Sequence, residues 1–272
     1  MSSYLSYVQS IADGFRQASK VSAEEFVAEP VVSKNKKVAL FSPHPDDECI
    51  IGLLPLRLQH EQDYQVVNVP MTFGSNPRRK EGRLAELEQA CEYLGWSNYR
   101  VREDLENLTV EDVMKALAEV QPDVIVFPHD DDWNSRHIEV HHVLMKAIAK
   151  MPDDFTCLLV ETEFWGAMDT PNTHLEASVE HVSELLTATA YHVEEVARNP
   201  YHLRLPAWMQ DNVRRGAELV GGQGQEAPDF LFSTLYRMQI WKQHKLKPLF
   251  EEGQTISCGA GKLNLITQWK SS

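Results

Sequence analysis

The sequence predicts an α/β fold, a Rossmann-like and mostly parallel sheet with helices on both faces and an elaborated C-terminal region. Three observations predict it. Short runs such as "VALF", "VIVF" and "CLLV" are apolar at every position, as strands buried on both faces must be. Segments with helical spacing separate them, which is the pattern of βαβ crossovers. Polar clusters follow the first two runs directly, where an open parallel sheet binds its ligands.

The elements follow in order. Residues 1–35 read as a helical lead-in, with Tyr4, Val8, Ile11 and Phe15 at helical spacing over 3–19. Residues 36–165 read as a Rossmann-like catalytic core. Its first strand is "VALFS"; "IIGLLPLRLQHE" is a buried helix interrupted by Pro55; "YQVVNVPMTFG" is a second strand. Residues 78–95 form a helix stopped by Gly95. An extended stretch near Tyr99, a helix over 110–120, a strand over 123–128, a helix from Ser135 to Lys150 and a strand over 156–163 complete the core. Residues 166–272 read as an α/β extension that walls the pocket and forms one compact unit with the core. It holds a long helix through "LEASVEHVSELLTATAYHVEEVARN", a helix in "AWMQDNVRRGAELVGGQG" closed by glycines, and a late strand in "DFLFSTLYRMQIW".

Composition narrows the class. A chain of 272 residues with 43% apolar and 24% charged residues is ordinary globular protein. Its net charge of −14 argues against nucleic acid and anionic membrane as partners, since both reward basic patches. Four scattered cysteines without a CxxC pair read as reduced thiols in a cytoplasmic protein. The N-terminus lacks the basic start and apolar core of a signal peptide. No apolar run approaches the roughly 20 residues that span a bilayer. Nothing in the composition decides whether the chain is a homo-oligomer.

The polar clusters carry the chemistry. "SPHPDDE" follows the first strand and "PHDDDWNSRHIEVHH" follows "VIVF"; parallel strands bring both to one sheet edge. His44 and Asp47 stand three positions apart around a proline turn, so both can face one point. Imidazole with carboxylate suits Zn²⁺, and a catalytic zinc takes three protein ligands and keeps one position open. The third ligand is sought in the second cluster. With Asn134 or Ser135 as N-cap, His137 falls in the first turn, beside the strand ends. His141 lies about 40° round the same face but about 6 Å further along, and His142 about 140° away. His137 is the expected ligand, with His141 in reserve. A capping turn and a solvated histidine face are the plain alternatives for the two clusters taken singly.

"SPHPDDE" resembles the signature of the PIG-L/LmbE-like zinc-dependent N-deacetylases, which remove acetyl from N-acetylglucosamine-containing molecules. "TFGS", "GRLAELEQACEYLG" and "QPDVIVFPHDDDWNSRHIEVHH" resemble further family segments, so the similarity covers about residues 36–165 and fades in the last third. The resemblance implies His44 and Asp47 as zinc ligands and Asp46 as general base. The family's His-x-x-His motif falls on "NSRH", which gives the ligand position to His137 and places Asn134 where the family has its first histidine.

Further roles are expected around this centre. Glu48 orients His44 as a hydrogen-bond acceptor. Asn134 caps its helix or donates to the oxyanion. Arg83 binds sugar hydroxyls or a phosphate, or else pairs with Glu86 on its own helix face. Trp133 and Trp165 stack on a sugar ring or simply wall the pocket. The acids of "HDDDWN" read as a solvated loop, and "GGQG" as a helix stop. The expected function is zinc-dependent removal of an N-acetyl group from a small N-acetylated amino sugar or its conjugate. The alternatives are a metal-dependent amidase or esterase on another small metabolite, and a non-catalytic sugar-binding relative.

Overall fold

Successive residues of a strand point to opposite faces, so a wholly apolar strand must be covered twice. The computed structural model, which describes residues 4–21 and 36–271, shows this in β1 (Lys37–Ser42). Val38 and Leu40 enter one hydrophobic core, whereas Ala39 and Phe41 enter a second. The first core is closed by α2 (Asp47–Ile50), α3 (Leu53–Gln62) and, further on, α4 (Lys80–Tyr93). Between α3 and α4 runs β2 (Gln65–Pro70), and after α4 a short β3 (Ser97–Asn98). The second core is closed by α5 (Val110–Val120) and, after β4 (Val124–Pro128), by α6 (Ser135–Ile148). A preceding helix, α1 (Leu5–Ala18), has no buried residue.

The chain continues through β5 (Cys157–Thr162), β6 (Thr173–Ala177), α7 (Val179–Ala190), α8 (Val193–Arg198) and α9 (Leu205–Leu219). It ends with β7 (Phe232–Lys242), β8 (Lys245–Pro248), β9 (Gln254–Ile256) and α10 (Asn264–Thr267). One sheet takes the order β3-β2-β1-β4-β5-β7-β6-β9, with β8 on β7. The run from β3 to β5 is parallel throughout, and β7 is antiparallel to both β5 and β6. This is the mixed α/β fold with a mostly parallel sheet that the strand pattern predicts. β1 pairs with both β2 and β4, Leu40 lying opposite Asn68 and Val126. From β1 the chain crosses towards β2, and from β4 towards β5. The strand order therefore reverses between β1 and β4, and a crevice opens beyond their carboxyl ends.

Several element boundaries differ from expectation. The helix read as interrupted by Pro55 breaks earlier, at Ile51 and Gly52, and Pro55 sits in the first turn of α3, where its missing N–H costs nothing. The long helix read from Leu175 to Asn199 is three elements. Leu175 lies in β6, bonded opposite Thr234 and Ile256. Ser178 then caps α7 by accepting from the His181 N–H at 3.2 Å, and a break at Tyr191 and His192 separates α8. The lead-in read over residues 1–35 falls within the description only for 4–21. Among the described residues no helix is long and apolar enough to cross a membrane, and Cys49, Cys91, Cys157 and Cys258 are free thiols.

Candidate metal centre

The first cluster leaves β1 through Pro43 and turns sharply at Asp46, which starts α2 at Asp47. That turn places the Asp47 carboxylate back against His44: Oδ2 accepts from the His44 backbone N–H at 2.9 Å and lies 3.1 Å from His44 Nδ1. The second cluster leaves β4 and starts α6 with Asn134 as N-cap, its Oδ1 accepting from the Arg136 N–H at 3.0 Å. His137, in the first turn, then points Nε2 to within 3.3 Å of the same Asp47 Oδ2. The His44 and His137 rings lie 5.5 Å apart, centroid to centroid. Potential ligand atoms of His44, Asp47 and His137 all lie within 4.8 Å of one another.

These three residues fit a divalent ion. Ligands of one tetrahedral zinc stand roughly 3.3 Å apart when each is about 2.0–2.1 Å from the metal, close to the separations on both sides of Asp47. His137 Nε2 is buried and makes no hydrogen bond, an unusual state for a buried ring nitrogen and one that a cation would relieve. The other polar atoms are occupied. The Trp165 indole N–H donates to Asp47 Oδ1 at 2.8 Å, and His137 Nδ1 donates to Asp132 Oδ2 at 3.2 Å. Asp132 is in turn fixed by the Asn134 N–H on Oδ1 at 2.8 Å. Electrostatics agree with the geometry. Burial alone would raise the Asp47 carboxyl, but His137 and then His44 hold it well below the usual carboxylate range. Burial would likewise lower the His137 imidazole, but Asp47 and Asp132 carry it up to about 10. Two anions thus favour positive charge at this spot.

A cavity of about 670 Å³ opens on the three residues and is also lined by Asp46, Arg83, Trp133, Asn134, Trp165 and Tyr201. Asp46 is buried and bonds none of the three; its Oδ2 accepts from the Tyr201 hydroxyl. Burial, then the adjacent Asp47 charge, pushes the Asp46 carboxyl well above its usual range against the opposite pull of His192 and Tyr201. Asn134 spends Oδ1 on its cap, which leaves the amide NH₂ for the cavity, so capping and donation do not exclude each other. Trp133 is 72% exposed at the mouth. Trp165 is half-buried, edge-on to Tyr201 at 5.3 Å.

Other expected roles change. Glu48 does not touch His44. One step round α2 from Asp47, it turns into the protein, where Oε1 accepts from His192 Nε2 at 2.7 Å and Oε2 from the Asp46 N–H at 2.8 Å. His141 stays away from Asp47, its Nδ1 donating to the Pro128 carbonyl at 3.2 Å. Arg83 does not pair with Glu86. It bonds Glu195 of α8, and a Cβ on Gly74 (φ 82°) would meet its NH1 at 2.5 Å, so a larger residue there would push the guanidinium aside. Of the acids of "HDDDWN", Asp130 and Asp131 are exposed, Asp130 accepting from Arg237 at 2.6 Å, whereas Asp132 leaves the solvated loop and is buried against His137.

Sequence reasoning missed His192, Glu195 and Tyr201, all from the C-terminal third. Glu195 is buried yet shared by Arg79, Arg83 and Arg198. Burial would raise its carboxyl, but Arg83 and then Arg79 outweigh it and bring it from 4.5 to about 2. A group depressed on folding stabilises above its unfolded value and loses that contribution as pH falls towards its folded one. Glu195→Gln should therefore flatten the fall in stability between about pH 4.5 and 2. The contribution is about 3 kcal/mol, read by denaturant unfolding at each pH; an unchanged acid limb would show that the arginines do not hold Glu195.

Fold and site together define an α/β protein with a His–Asp–His candidate metal centre at the reversal point of its sheet. Comparison with known proteins makes that class particular. Residues 39–148 match the family model described as "PIG-L: GlcNAc-PI de-N-acetylase". The resemblance drawn from "SPHPDDE" is borne out over that stretch. No curated protein matches the chain. Several solved structures share its fold. N,N'-diacetylchitobiose deacetylase from Pyrococcus horikoshii is 13% identical, with 88% of this chain and 93% of that one covered and a TM-score of 0.54. The zinc-inhibited form of teicoplanin deacetylase Orf2 is 13% identical over 76% and 98%, with a TM-score of 0.54. GalB, the 4-carboxy-2-hydroxymuconate hydratase from Pseudomonas putida KT2440, is 16% identical over 75% and 95%, with a TM-score of 0.55. A hydratase among them shows that one scaffold serves more than one reaction.

Proposed function

We propose that the protein is a zinc-dependent hydrolase that removes the N-acetyl group from an N-acetylglucosamine-type amino sugar or its conjugate, releasing acetate. One observation carries this reading: within the stretch that matches the PIG-L family model, a buried carboxylate free of the candidate ligands, Asp46, shares one cavity with His44, Asp47 and His137. The deacetylases of like fold support it. His44, Asp47 and His137 would hold the metal, and zinc bound there supplies Lewis-acid activation of water near neutral pH. Asp46, anchored through Oδ2 by Tyr201, takes the water's proton on Oδ1 and returns it to the departing amine. The Asn134 amide N–H donates to the oxygen of the tetrahedral centre. Trp133 and Arg83 meet the sugar at the mouth and wall of the cavity.

Purified protein loaded with Zn²⁺ should release acetate and free amine from a panel of N-acetylglucosamine compounds, and a chelator should stop it. No acetate from any member would overturn the reading. A second reading, favoured by the hydratase of like fold, keeps the metal and the base but adds the water to another acceptor. Chelator-sensitive turnover of an unsaturated hydroxy acid, with no acetate from the panel, would support it.

Asp132 tests the metal assignment separately. It fixes the tautomer and direction of the His137 ring, and such outer partners contribute about 10–100-fold to affinity. Asp132→Asn should weaken Zn²⁺ binding by that factor in a competition titration. An unchanged affinity would mean that His137 does not hold the ion.

A further inference from the structure

We propose that Glu48 and His192 form a positioning pair that holds Asp46 in the backbone conformation its chemistry needs. The inference rests on the reading of Asp46 as the base. Asp46 has φ 120° and ψ −34°, a region that glycine enters freely and a residue with a Cβ enters only when its surroundings impose it. The same turn sends two successive carboxylates to different places: Asp46 to Tyr201, and Asp47 to His44 and His137. A relaxed backbone at residue 46 would release Asp46 from Tyr201, while Asp47 keeps its own anchors, the His44 and Trp165 N–H groups.

The imposing group is Glu48. Its Oε2 accepts the Asp46 N–H at 2.8 Å. Its Oε1 accepts from His192 Nε2 at 2.7 Å and from the Cys49 thiol at 3.0 Å. Glu48, Cys49 and His192 are fully buried. His192 is itself tied down at the break between α7 and α8: its N–H donates to Thr189 O at 3.1 Å, and its carbonyl accepts from the Val196 N–H at 3.0 Å. The clamp therefore runs from the helical break, through one carboxylate, to the peptide N–H of the strained residue.

These three side chains also lie close enough together to suggest metal ligands. Yet the 2.7 Å between Glu48 Oε1 and His192 Nε2 is a hydrogen bond, shorter than the roughly 3.3 Å between two ligands of one tetrahedral ion. The cluster is a clamp and not a second metal site.

The test compares Glu48→Leu, His192→Phe and His192→Gln with the native enzyme, all loaded with Zn²⁺. Glu48→Leu, which removes the acceptor of the Asp46 N–H, and His192→Phe should lower kcat on the order of 10–100-fold, with KM and zinc content unchanged. His192→Gln, which keeps an N–H donor, should recover part of the loss. A crystal structure of Glu48→Leu should show residue 46 away from φ 120°, and Glu48→Leu combined with Asp46→Gly should keep it there, because glycine needs no clamp. Native kcat with unchanged φ would overturn the proposal, as would loss of zinc in step with kcat. If Glu48→Leu does not fold, His192→Phe is read by the same criteria. If the native protein proves inactive, the deacetylase reading falls, while the backbone angle still decides whether the clamp exists.

Discussion

Asp46→Asn should lower kcat by about 10²–10⁴-fold, the usual contribution of a positioned general base, while the protein still binds zinc. The substitution isolates proton acceptance. Asparagine has the same shape, its oxygen can accept from Tyr201 as Oδ2 does now, and it tolerates positive φ better than most residues. It cannot take a proton from water. Asp46 also stands apart from the candidate ligands, so the metal should remain. The measurement pairs turnover with zinc content by elemental analysis; native turnover with bound zinc would remove Asp46 from the chemistry.

The second large effect lies at the third ligand. His137→Ala should weaken Zn²⁺ binding by more than about 100-fold, beyond what loss of an outer partner causes. Alanine removes the Nε2 that faces Asp47 and strands the buried Asp132 carboxylate. His141→Ala, by contrast, should bind zinc as the native protein does, since that ring bonds the Pro128 carbonyl. Calorimetric titration of the metal-free protein with Zn²⁺ compares the two variants. Normal affinity in His137→Ala with loss in His141→Ala would exchange their roles.

Much of this architecture is legible in the sequence because it follows from periodicity. Unbroken apolar strands require two covering layers, and Val38 to Phe41 divide between two cores as that rule demands. Parallel strands gather their carboxyl ends at one edge, which is why two stretches far apart in sequence could be expected to meet. What escapes is set by contacts that no local pattern encodes. The direction of Glu48 is set by its bond to His192 from a distant segment, invisible in a run of acids. His192, Glu195 and Tyr201 lie in a segment whose helical spacing shows only where it packs. The strand hidden in "LEAS" did carry a signal: Ser178 opens a capping box with His181, so the helix could not begin before it.

The place of β7 in the sheet bears on how the protein is made. β6 reaches the sheet through β7, which lies between β5 and β6. During translation the flank of β5 therefore waits bare until Phe232–Lys242 has left the ribosome. Until then a nascent chain displays an open strand border of the kind that invites aggregation. Chaperone capture of ribosome-bound chains should end once β7 has emerged.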